Sequence, residues 1–141
     1  VVNANARNLF DLMQLYRSKM KKAVGTKELN LNAMHIQCMR LIQEAHHCTA
    51  NAIGQGLDRD KSQISLVVKD MAKKGWIEFL PNPQDKRSKL IELTSLGESL
   101  LAKVATEETL VGDIMKQGLS AKEIELFDKV VLAMKHNLKN S

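Results

Sequence analysis

Apolar side chains recur every three to four residues along most of this chain, and each run marks a helix. Leu9, Leu12, Met13, Tyr16 and Met20 line one face of a first helix, predicted from Ala4 to Val24 and ended by Gly25. A second helix starts after Asn32, a good N-cap residue, with Ile36, Met39 and Ile42 on its apolar face and Leu41 on the flank. Thr49 caps a short third helix that holds Ala52 and Ile53 and ends near Gly56 and Leu57. Asp60 caps a fourth, Lys61 to Lys74, and Gly75 sits where a left-handed C-terminal residue is needed.

The period then shortens. Two apolar runs, Trp76–Leu80 and Lys89–Leu93, flank the polar stretch Pro81 to Ser88, which reads as a β-hairpin with a long tip. Thr94 caps a fifth helix reaching about Gln117, Gly118 breaks it, and Ser120 with Glu123 forms a capping box for a last helix to about Lys139. That last helix carries a broad apolar stripe of Leu126, Phe127, Val130, Val131, Met134 and Leu138. A short helix, a tight turn at Leu57–Arg59, a longer helix and an adjoining hairpin make a winged helix-turn-helix. The predicted fold class is therefore mainly α (α+β), a winged helix-turn-helix with a small β-hairpin wing and N- and C-terminal dimerisation helices, whose two apolar stripes could instead pair within one chain but are expected to form a seam between two.

Composition narrows the class. The chain has 141 residues, 44% of them apolar and 26% charged, which suits one globular domain over 1–141 with a core needing no metal or disulfide. Residues 31–94 form the expected DNA-binding region, with 1–30 and 95–141 as the helical dimerisation region. Cys38 and Cys48 are the two cysteines, too few for a disulfide scaffold, so a reducing cytoplasm is the expected compartment. Val1 to Phe10 lacks the apolar core of a secretory leader, and the start on Val1 rather than Met reads as trimmed. No run of about 18 apolar residues predicts a membrane span.

The net charge of +5 is unevenly placed. Residues 1–30 carry six basic and two acidic side chains, and residues 59–89 carry eight and four, while the remainder sums to −3. A basic patch suits a polyanion, although a solvated lysine-rich surface gives the same count. The fourth helix sharpens the choice. Ile64, Val67, Val68 and Met71 fall within roughly 100° and must face a core. The opposite side presents Ser62, Leu66, Lys69 and Lys73, with Gln63 and Ser65 on the flanks and Lys61 at the start. Near its N-terminus this outward face is small, polar and free of acids, as a helix reading the major groove requires. Gln can pair with adenine, Ser can serve several bases, and Leu66 can touch a thymine methyl. At the hairpin tip, Arg87 can enter a narrow A·T-rich minor groove, with Asp85 holding its guanidinium and Lys86 and Lys89 meeting phosphates.

Residues Thr49 to Gly97 resemble the MarR (multiple-antibiotic-resistance repressor) family of winged-helix regulators. The matching stretches are TANAIGQGL, RDKSQISLVVKDMAKKGWI and NPQDKRSKLIELTSLG, about a third of the chain. The resemblance implies a homodimer built from the terminal helices, through Leu9, Leu12, Met13, Tyr16, Phe127, Val130, Val131, Met134 and Leu138. It implies a pseudo-palindromic double-stranded DNA operator, with Ser62, Gln63, Ser65 and Lys69 at the major groove, Arg87 in the minor groove and Asp85 supporting it. It also implies release by a small-molecule effector, an oxidant or a metal. The chain departs from the family at Leu66, where Arg is common, and at Phe79, where a basic residue is common. Those two residues leave open a protein-interaction module that keeps the fold without strong DNA affinity.

Other chemistry is thinly represented. His35, Cys38, His46, His47 and Cys48 are metal or redox candidates, but they lack a standard ligand spacing and straddle a loop. No phosphate loop, nucleophile elbow or zinc-protease motif occurs, so neither an enzyme nor a resident cofactor is expected.

Overall fold

The computed structural model describes residues 4–25 and 30–141. Its elements are α1 (Ala4–Val24), α2 (Ala33–Glu44), α3 (Ala50–Leu57), α4 (Lys61–Lys73), β1 (Ile77–Pro81), β2 (Lys89–Leu93), α5 (Ser95–Met115) and α6 (Ala121–Lys139). This is the predicted order, a mainly helical chain with a two-stranded antiparallel wing. Within the expected 1–30 dimerisation region, 1–3 and 26–29 lie outside the described residues. The chain divides into two units, residues 1–107 and 108–141, with the boundary inside α5.

Most helix starts follow the capping residues read from sequence. The Thr49 hydroxyl accepts from the Ala52 N–H at 3.2 Å, and Ser120 and Glu123 form their reciprocal box at 3.1 and 2.9 Å. Asp60 departs from expectation. It occupies the N-cap position of α4 with extended backbone but makes no side-chain cap bond, because its carboxylate accepts the Ser62 hydroxyl proton instead. The end of α4 is a Schellman closure. Gly75, at φ +78°, donates its N–H to the Ala72 carbonyl, and the Trp76 N–H reaches the Met71 carbonyl, both at 3.0 Å. Trp76 thereby spends its backbone donor on the helix, and β1 begins at Ile77, one residue later than predicted.

The first unit has one apolar core. Cys38, Met39 and Ile42 of α2, Ile53 of α3, and Ile64, Val68 and Met71 of α4 are buried with Trp76, Ile77, Ile91, Leu100, Leu101 and Val104. The helix-turn-helix corner is closed by the Arg59 N–H donating to the Gly54 carbonyl at 2.9 Å, with Asp58 in the left-handed region at φ 51°. Asp tolerates that region better than most residues. The wing is held at its base by two backbone bonds. The Ile91 N–H donates to the Cys48 carbonyl at 2.8 Å, just before α3, and the Thr94 N–H donates to the Trp76 carbonyl at 3.0 Å.

The second unit is built differently. Of residues 108–141, Val111 is the buried one. Leu110, Ile114, Met115, Leu119, Leu126, Phe127, Val130, Leu132, Met134 and Leu138 are all exposed. No helix among the described residues is long and apolar enough to cross a membrane.

Candidate nucleic-acid interface

Burial on α4 divides its faces as the periodicity requires. Ile64, Val68 and Met71 are buried, whereas Lys61, Ser62, Gln63, Leu66, Lys69 and Lys73 are exposed and Ser65 and Val67 are half-buried. Ser62, Leu66, Lys69 and Lys73 fall within about 60° of one another on a 100° helical wheel. Leu66, at 70% exposure, is the unusual member, a large apolar side chain centred in a polar, cationic strip. Asp60 and Ser62 form a unit at the start of this strip, their oxygens 2.5 Å apart.

The hairpin pairs Ile77 with Leu93, Phe79 with Ile91 and Pro81 with Lys89, leaving residues 82–88 as the tip. Side chains brace that tip from within. The Asn82 carbonyl oxygen accepts from the Gln84 N–H at 3.0 Å, the Asn82 amide donates to the Ser88 hydroxyl at 3.1 Å, and the Asp85 carboxylate accepts from the Arg87 N–H at 2.9 Å. The sequence suggested that Asp85 grips the Arg87 guanidinium. Asp85 instead holds the Arg87 backbone in a local turn, leaving the guanidinium outside that bond. Lys86, Arg87 and Lys89 are exposed, and the Lys89 ammonium lies 6.0 Å from the Phe79 ring centre.

Sequence reasoning missed the polar buttress behind α4. His35 is 3% exposed, packed edge-on to Trp76 with ring centres 5.2 Å apart. Its Nδ1 accepts from the Asn32 N–H at 3.1 Å, completing a capping box in which Asn32 accepts from the His35 N–H at 3.0 Å. That bond fixes the neutral ring as the Nε2–H tautomer, which donates to Asp70 of α4 at 2.8 Å. Lys74 meets the same Asp70 oxygen at 2.7 Å. The Asn-x-x-His spacing was the local signal available, but nothing in the sequence places Asp70 beside a residue 35 positions earlier.

Burial, and then the nearby Lys74 charge, lower the His35 pKa below 6.5 against the opposing pull of the Asp70 bond. The folded ring therefore accepts a proton less readily than the unfolded one. Its stabilising contribution is present above pH 6.5 and declines as pH falls from there toward the folded pKa. Thermal melts at pH 7.5 and 5.5 should show this as a drop in Tm that shrinks in His35→Gln.

The metal and thiol candidates are placed in ways that oppose those roles. Both His35 ring nitrogens are engaged, and Cys38 and Cys48 are buried. Burial, with the neighbouring Cys48, pushes the Cys38 thiol up to about 11, and burial also raises Cys48. Such thiols hold little thiolate near neutral pH. Among the described residues no three His, Cys, Asp or Glu side chains converge on one point.

Comparison with known proteins matches residues 31–89 to the MarR family. The chain is 30% identical over 95 residues to an uncharacterised HTH-type transcriptional regulator, YdcH, of Bacillus subtilis, an alignment covering 63% of this chain and 62% of that protein. It is 29% identical over 92 residues to the multiple antibiotic resistance protein MarR of Escherichia coli, covering 65% and 62%. The chain thus spans somewhat under two-thirds of the length of these curated relatives. Its fold superposes on a mutant E. coli MarR complexed with operator DNA, with a TM-score of 0.70, 20% identity and coverage of 95% and 98%.

Proposed function

From the match of residues 31–89 to the MarR family, we propose that the protein is a homodimeric, sequence-specific regulator of transcription that binds double-stranded DNA. The observation that carries this reading is the exposed strip of Ser62, Leu66, Lys69 and Lys73 on α4, which bears two cations and where the acid at its start, Asp60, is bonded to Ser62, on the same core as a braced wing tip bearing Arg87. In this reading the N-terminal half of α4 enters the major groove through Ser62, Gln63 and Ser65, while Lys61, Lys69, Lys86 and Lys89 meet phosphates. Arg87 enters the minor groove. Asp85 contributes by fixing the loop that presents it. The reading calls for no catalytic step.

A homodimer is supported by the second unit. Its 34 residues bury one side chain and expose ten large apolar ones, while chains below about 40 residues seldom hold together without help. Leu9, Leu12 and Met13 of α1 are likewise exposed, and Tyr16 is half-buried. A twofold pairing of such faces gives two α4 helices and hence a pseudo-palindromic operator. An open cleft of about 290 Å³ beside the end of α2 and β2, lined by His46, His47, Glu92 and Glu98 among others, offers room for a small effector.

Salt titration of binding to a random-sequence duplex tests DNA binding itself. Affinity should fall steeply between 50 and 200 mM salt, as neutralised phosphates release counterions. No binding even at low salt would favour the interaction module suggested by exposed Leu66 and Phe79. Arg87→Ala should weaken operator binding by roughly 10- to 100-fold per half-site with Tm unchanged, and equal affinity would remove the wing from the interface.

A further inference from the structure

We propose that Leu66 and Ser62 are the base-specificity pair of α4. Leu66 reads the C5-methyl group of a thymine, and Ser62 acts as a pure acceptor toward a base amino group. This inference rests on the reading that α4 enters the major groove, and it assigns which chemical groups the helix recognises there.

Two observations carry it. Leu66 is 70% exposed, although every other large apolar residue of α4 faces the core or its edge. It stands on the face that carries Ser62 and Lys69, one helical turn from Ser62 and about 6 Å along the axis. The major groove offers a leucine one apolar partner, the thymine methyl. The second observation is the Asp60–Ser62 bond, with 2.5 Å between oxygens. A carboxylate can only accept, so the single Ser62 hydroxyl proton points back to Asp60. What Ser62 turns outward is lone pairs. Its partners are then bases that donate, adenine through N6–H₂ or cytosine through N4–H₂, and not the acceptor edges of guanine or thymine. An A·T pair carries both an amino donor and a methyl on its major-groove edge, so the two side chains together favour A·T pairs beneath the first turns of α4. A free serine would accept either polarity. Asp60 removes that ambiguity in place of capping the helix.

The test uses a duplex enriched from a random pool, with each thymine replaced singly by deoxyuridine. This deletes the methyl and leaves base pairing intact. The wild-type protein should bind about 3- to 10-fold more weakly at one thymine per half-site, as expected for one buried methyl. Leu66→Ala should be indifferent to the same replacement and bind the thymine duplex as the wild type binds the uracil one. Ser62→Ala should keep the thymine–uracil difference but lose its preference for adenine or cytosine at a base pair within two steps of it. DNA binding with no position sensitive to deoxyuridine, or a sensitivity that survives in Leu66→Ala, overturns the assignment while leaving the groove reading intact. No binding to any duplex at low salt overturns both, and the two failures are thereby distinguished.

Discussion

Gly97→Ala is expected to destabilise the protein by about 3 kcal/mol and lower its Tm by roughly 10 °C, although glycine-to-alanine within a helix ordinarily stabilises. Gly97 lies in the first turn of α5, where the chain folds back onto Trp76. A Cβ there would stand 2.1 Å from the Trp76 carbonyl oxygen and 3.0 Å from its carbon, and both are backbone atoms. The carbonyl cannot move freely, because it accepts the Thr94 N–H at 3.0 Å. The Thr94 hydroxyl adds to the constraint, donating to the Gly75 carbonyl at 2.5 Å and accepting the Gly97 N–H at 3.1 Å. This small cluster joins the end of α4, the start of β1 and the start of α5, so its strain passes directly to the wing. Gly112→Ala is the internal control. It lies in the same helix with nothing within 4 Å of its added Cβ, and should stabilise by up to about 1 kcal/mol. Paired melts check both signs, and a Gly97→Ala protein as stable as the parent would contradict the close approach.

The second large effect concerns assembly. Val130→Glu should convert the protein to a monomer and reduce operator affinity by roughly a thousandfold, since an unpaired charge buried at an interface costs about 3–5 kcal/mol and twofold symmetry duplicates it. Leu126, Phe127, Val130, Met134 and Leu138 are exposed on α6, within about 140° of one another and with half-buried Val131 in the same arc. Leu132 lies outside that arc and is 63% exposed, so Leu132→Glu should leave the dimer intact. Sedimentation equilibrium separates the two variants. If Val130→Glu remained dimeric, the α6 stripe would not be the seam. Because Val130 is already 41% exposed in the single chain, its loss of assembly should not come from loss of a core contact.

Most of the architecture could be read from the sequence because its signals are local. Gly75 and Gly118 stand at φ +78° and +79°, where a helix must stop, and the Ser120–Glu123 box forms as its spacing requires. The outward strip of α4 follows from periodicity alone. The misreadings share a physical cause, which is competition for a polar group between a local partner and a better-placed one. Asp60 gives up its capping bond for the Ser62 hydroxyl, and Asp85 takes the Arg87 backbone rather than its guanidinium. Trp76 looked like strand but donates its N–H to the end of α4. The role His35 does have was not legible, because its partners Asp70 and Trp76 come from distant segments that only the tertiary packing brings to it.

The central claim is that two copies of one reading unit, an α4 helix and its wing, face DNA together. Selection of bound sequences from a random duplex pool by the wild-type protein tests it most directly. The account predicts enrichment of an inverted repeat whose half-sites are centred about 10 base pairs apart, one turn of the double helix. Enrichment of a lone half-site, or no enrichment at all, would contradict it.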